Sequence, residues 1–114
     1  MNPASAPLIP IAFGAANEAR DGDAVLQEGR GASAPGHEWF TIEAALGHPV
    51  RCACCMPRNA AGQALGRLLL ARGRGTAPFF GRVLVVARSQ EGRDAVRDAV
   101  ALDPLASACF RWEA

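Results

Sequence analysis

The stretch that decides the fold is Arg82–Ala87, RVLVVA. Val83, Leu84, Val85 and Val86 follow one another with no polar residue between them. A strand with one wet face alternates apolar and polar positions. An unbroken aliphatic run this short suits a strand covered on both faces, at the centre of a parallel sheet. Phe79 and Phe80 lead into it. Before it, Asn59 can cap a helix over about Ala60–Arg72, with Ala61, Leu65, Leu68 and Leu69 as an apolar stripe and Gly73 and Gly75 to stop it. Gly62 and Gly66 weaken that helix by up to ~1 kcal/mol each, and their small size suits close packing. After it, Gly92–Leu102 reads as a second helix, with Ala95, Val96, Ala99 and Val100 on one side. Asp103-Pro104 then opens a last short helix, the aspartate as cap and the proline in the first turn.

Further upstream the pattern is less regular. Residues 1–7 hold two prolines and small residues and read as a flexible lead to a single domain over 8–114. Leu8–Phe13 reads as a short strand, and Pro10 places it at an edge or at a strand start. Ala15–Gln27 contains helix formers interrupted by Asp21-Gly22-Asp23 and stays undecided. Gly29–Gly36 is a loop by composition. Glu38–Ala44 reads as a strand, Gly47-His48-Pro49 as a turn and Val50–Ala53 as another short strand. Strand, helix, strand, helix in this order predicts an α/β fold: a small parallel sheet of three or four strands with flanking helices in two or three layers.

Composition excludes several functions. In 114 residues, half are hydrophobic, enough for one domain with a real core. The net charge is +1, so no nucleic-acid partner is expected. All twelve basic residues are arginine. Without lysine there is neither a P-loop phosphate lysine nor a Schiff base. No segment approaches ~18 consecutive apolar residues, so no membrane span is expected. The N-terminus lacks the basic region of a signal peptide, and the expected location is the cytoplasm, where thiols stay reduced.

That setting bears on Arg51–Arg58, RCACCMPR, which carries Cys52, Cys54 and Cys55. Three thiols this close build a disulfide, hold a metal or fill a core. Adjacent cysteines pair badly with each other and the compartment is reducing, so the disulfide is the weakest reading. Arg51 and Arg58 would lower the thiol pKa values and favour thiolates.

The order of motifs resembles the CobW-like metal-chaperone GTPases. There a Cys-x-Cys-Cys motif precedes a helix, a strand beginning in an FDRV-like sequence follows, and a further helix closes on a DP element. Here Cys52-Ala53-Cys54-Cys55 is followed by a helix, by FFGRVLVV (79–86), by RDAVRDAVALDP (93–104) and by LASACFRW (105–112). The likeness covers residues 50–112, about half of the family's GTPase domain. It extends loosely to Ile11–Leu26, where Asn17-Glu18 and an aspartate-rich segment stand in the manner of the switch region.

The departures are specific. The phosphate loop Gly-x-x-x-x-Gly-Lys-Ser/Thr and the guanine-reading Asn-Lys-x-Asp are missing. Arg51 replaces a glycine. The acidic residue that ends the family's central strand is absent from Val86-Ala87-Arg88-Ser89. Nucleotide hydrolysis rests on positioning and charge neutralisation by these parts, so no GTPase activity is expected.

What the resemblance leaves is a metal site on Cys52, Cys54 and Cys55. Three thiolates on one tight turn suit Zn²⁺, which takes sulfur at about 2.3 Å in a tetrahedral shell. The candidates for a fourth ligand are His48, four residues before Cys52, and His37, Glu38 and Cys109. Against this stands burial of the cysteines as ordinary small residues. Cys109, in a short apolar element, reads as packed, and Asn17-Glu18 as a surface turn. The expected role is a shortened metallochaperone or sensor that binds a transition metal ion. The alternative is a pseudo-GTPase interaction module that pairs with itself or with a full-length relative. A redox sensor built on low-pKa thiols is a further alternative.

Overall fold

The computed structural model describes residues 8–42 and 59–113. The lead at 1–7, the turn at 47–49, the strand expected at 50–53 and the thiol motif lie outside the described residues. Among the described residues five strands form one all-parallel sheet: β1 (Ile9–Phe13), β2 (Asp23–Glu28), β3 (His37–Phe40), β4 (Arg82–Val86) and β5 (Phe110–Trp112), in the order β3-β2-β4-β1-β5. RVLVV thus sits in the middle of the sheet, as its composition requires. The same residues form three α-helices: α1 (Ala60–Arg74), α2 (Gln90–Leu102) and α3 (Pro104–Cys109). No helix among the described residues is long and apolar enough to cross a membrane.

Register explains why β4 is apolar on both sides. Ile11 and Ala24 flank Val83, and Phe13 and Leu26 flank Val85. These positions share one face with Phe40 and Phe110, and together they form the core with Ala61, Ala64, Leu65 and Leu68 of α1, Val96 and Ala99 of α2, and Ala106 of α3. All three helices therefore cover the same face. Leu84 points to the other face and is only 2% exposed. Gly14, at the start of the β1–β2 connection, lies against its side chain. On the same face the β2–β3 connection folds over Trp39, whose indole N–H donates to the Ala32 carbonyl at 3.1 Å. Among the described residues, the β1–β2 and β2–β3 connections rather than the α-helices lie on this second face.

The two kinds of connection run in opposite directions. β1 to β2 and β2 to β3 move one way along the sheet over the second face. β4 to β5 moves the other way over the helical face, and α1 precedes β4 on that same face. A constant crossover hand produces this arrangement.

Several local expectations need correction. The undecided segment contains β2, which adds a fifth strand to the three or four expected. DAVLQE is too short for a helix after the Asp21-Gly22 break, and its buried Ala24 and Leu26 alternate with half-buried Asp23, Val25 and Gln27. β3 begins at His37 and ends at Phe40, rather than running over 38–44. α1 continues through Gly73 to Arg74, because the left-handed turn that ends it falls at Gly75 (φ 75°). α2 begins at Gln90, capped by Ser89, two residues before Gly92. LASACFRW divides into a helix and the edge strand β5.

Two polar anchors hold the frame. Asp103 caps α3 by accepting from the Leu105 and Ala106 N–H groups at 3.1 and 2.9 Å. At the amino edge of the sheet, Arg82 donates to Asp23 at 2.9 Å and to Glu113 at 3.0 Å, tying together β4, β2 and the residue after β5. Burial pushes the Asp23 carboxyl up, but hydrogen bonds from Arg82 and the Arg20 N–H outweigh it and hold it below its ordinary value.

Candidate functional site

Ligands of open parallel sheets bind outside the carboxyl ends of the strands. Here that edge carries an open groove of about 660 Å³, lined by Glu28, Gly29, Arg30, Thr41, Ile42, Arg88 and Ser89. The residues come from the ends of β2, β3 and β4 and from the cap of α2.

Glu28 organises the groove. It follows Ala24 and Leu26 on the helical face of β2, so its side chain reaches the start of α2. One carboxylate oxygen accepts from the Arg88 N–H at 2.6 Å and the Ser89 N–H at 2.9 Å. The other accepts from the Ser89 hydroxyl at 2.7 Å. The same hydroxyl accepts from the Gly92 N–H at 3.0 Å and so caps the helix. A Cβ at Gly92 would overlap the Glu28 carboxylate, so this approach requires glycine.

The N-terminus of a helix attracts anions through its free N–H groups and its dipole. In this chain the anion is the chain's own carboxylate. Burial pushes the Glu28 carboxyl up. The Ser89 hydroxyl, the Arg88 and Ser89 N–H groups and the Arg88 charge more than compensate, and Glu28 titrates below its ordinary value. Glu28 reaches the α2 start from the neighbouring strand, a placement that only the β2–β4 pairing reveals.

A smaller cavity of about 190 Å³ lies between the carboxyl ends of β1 and β4, walled by Phe13, Gly14, Val85, Ala87 and Arg93. Beside it Phe13 stacks on Trp112 with centroids 5.2 Å apart, and Arg97 lies over the Phe13 ring.

The expected metal ligands Cys52, Cys54, Cys55 and His48 lie outside the described residues. The other candidates for the fourth position have different partners. His37 stacks on Trp39, centroids 5.1 Å apart, and its Nε2 is 3.0 Å from Gln27 Oε1. Glu38 pairs with Arg67 of α1 at 2.9 Å and accepts from the Ser33 hydroxyl. Cys109 ends α3 as a free thiol packed against the core. Among the described residues no three His, Cys, Asp or Glu side chains gather as a metal-holding group. Asn17 and Glu18 form an exposed 3-10 turn, with Glu18 accepting from the Ala15 N–H at 2.6 Å.

Groove residues Arg30, Arg88 and Thr41 were not singled out by the sequence, because each lies in a loop or at a strand end without a motif. The nearest available signal was Ser89 three residues before Gly92, a helix start after a strand. No protein-family model, curated protein or solved structure matches the chain.

Proposed function

We propose that this chain is a cytoplasmic α/β domain that binds a transition metal ion, zinc by first choice, on Cys52, Cys54 and Cys55, and acts as a metallochaperone or metal sensor without turning over nucleotide. The observation that carries the reading is the Cys-x-Cys-Cys spacing itself. Its three thiolates are soft donors and suit Zn²⁺, a borderline-soft ion. A reducing compartment keeps such thiols free for metal.

Two features of the fold agree with the reading. The described residues on either side of the thiol segment adjoin regular elements: Ile42 follows β3, and Asn59 caps α1 through the Gly62 N–H at 2.7 Å while donating to the Ala95 carbonyl at 2.9 Å. The absence of lysine removes the P-loop's phosphate lysine, and the Glu28 carboxylate occupies the α2 N-terminus on which a nucleotide phosphate of that kind would rest.

His48 is the first candidate for the fourth ligand, and an open fourth position would favour stepwise transfer. The test is metal content by plasma mass spectrometry on tag-free protein purified without chelator. One zinc per chain, absent from the Cys52→Ser/Cys54→Ser/Cys55→Ser variant, is the expected result. A chain free of metal even after incubation with zinc refutes the reading.

A second reading, a module that pairs with itself or with a full-length relative, draws on the asymmetry of the sheet edges. The β3 edge is partly covered, because Arg67 donates to the Trp39 carbonyl at 3.3 Å. Strand β5 is the other edge among the described residues, with Trp112 37% exposed. Open edges invite pairing. Light scattering that returns a strict monomer removes the self-pairing form of this reading.

A further inference from the structure

The groove at the carboxyl edge has a chemistry that the metal reading does not use. Arg30 follows β2 by two residues and Arg88 follows β4 by two, and both arginines line the one hollow. The Arg88 fork lies close to Gly29, with Nη1 3.5 Å from where a Cβ on that residue would stand. This sets the Arg88 charge beside the main chain at Gly29.

The same lining holds Glu28, and its oxygens are taken up by the start of α2. Its hydrogen bonds go to the α2 start, and the Arg88 charge also favours its ionised form, which leaves the Arg30 fork as the less committed of the two. Thr41 adds a hydroxyl to the lining and Ile42 an apolar wall that is 39% exposed. Arginine forks match the oxygens of phosphate in two parallel hydrogen bonds, and two of them balance a dianion.

We infer that this groove binds a phosphate group, held between Arg30 and Arg88 with the Thr41 hydroxyl as a further donor. A small organic phosphate would lay its apolar part against Ile42. The site is separate from the one Glu28 fills: the phosphate would sit outside the α2 cap, on side chains rather than on helix N–H groups. The inference does not depend on the metal reading.

The experiment is titration calorimetry and thermal melting of the full chain with inorganic phosphate, phenyl phosphate and acetate at constant ionic strength, because exposed arginines attract any anion at low salt. Saturable binding of inorganic phosphate is expected, with tighter binding of phenyl phosphate and none of acetate. Arg30→Gln and Arg88→Gln should each weaken phosphate at least about tenfold, since each removes a charged pair. Arg93→Gln, in the smaller cavity, should leave it unchanged. Circular dichroism checks that the variants are folded.

The triple serine variant of the thiol segment should bind phosphate as the parent does, which separates this result from the fate of the metal reading. Non-saturable melting shifts, or equal binding by the parent and an Arg30→Gln/Arg88→Gln double variant, would overturn the inference. Binding of inorganic phosphate with no gain for phenyl phosphate would overturn the role of Ile42 and assign the groove to free phosphate.

Discussion

Gly92→Ala is the substitution whose sign the Glu28 arrangement decides. In most exposed helix positions, replacing glycine by alanine stabilises by about 0.5–1 kcal/mol, through helix propensity and the smaller entropy of the unfolded chain. Here the added methyl would occupy the position of the Glu28 carboxylate. To accept it, the carboxylate must leave the Arg88 and Ser89 N–H groups and the Ser89 hydroxyl.

A hydrogen bond to a charged group contributes about 1.5–3 kcal/mol where water is excluded. The groove is open, so water recovers part of that for each of the three bonds. A loss of about 2–3 kcal/mol for the set is reasonable, and subtracting the propensity gain leaves Gly92→Ala destabilising by about 1–2 kcal/mol. In a Glu28→Ala background the space is empty. The same substitution should then stabilise by up to about 1 kcal/mol. The two sites should therefore couple by about 2 kcal/mol in a double-mutant cycle. Urea unfolding of the four proteins measures this, with the denaturant slope checked for constancy. If Gly92→Ala stabilises the parent as much as the Glu28→Ala variant, the carboxylate does not occupy the helix start and the account of the groove fails.

Three other outcomes follow from the structure. Asp23 and Glu28 titrate below their ordinary values of 3.8 and 4.5, so the stability they supply is complete at neutral pH and is lost as pH falls through those values and below. Melting temperature should therefore drop between about pH 5 and pH 3, and less steeply in an Asp23→Asn/Glu28→Gln variant; an equal slope in both proteins would refute this. Phe80 is 1% exposed and Phe79 77%. Phe80→Ala should cost about 3–5 kcal/mol in denaturant unfolding, whereas Phe79→Ala should cost about 1 or less, mainly the stacking of Arg72 at 3.6 Å. Ser89→Ala removes the α2 cap and a Glu28 bond together and should cost about 2 kcal/mol, more than an isolated cap, as denaturant unfolding would measure.

The elements that could be read from sequence are those whose signals are local. Asn59 and Ser89, or Asp103 with Pro104, mark helix starts because a capping side chain bonds to an N–H two or three residues away. RVLVV announces a two-sided burial that no exposed strand needs. β2 and β5 were harder because six and three residues carry little periodicity, and each becomes a strand through the neighbour it pairs with: β4 for one, β1 for the other. The start of α2 was misplaced because Gln90 and Glu91 carry no apolar signal, although Ser89 is a capping residue.

The site divides along the same line. A cysteine cluster within four residues is visible in one dimension, and so is the absence of lysine. The groove is not. Glu28 and Ser89 are 61 positions apart in the chain yet joined by two hydrogen bonds, and nothing in either neighbourhood names the other. Parallel pairing brings the ends of β2 and β4 side by side, and the face shared by Leu26 and Val85 aims Glu28 at the helix that follows β4. Composition and local pattern thus settled the class of the fold. Which carboxylate meets the α2 start, and which arginines share the groove beside it, depended on strand order and register, which are set by long-range burial rather than by any neighbouring residue.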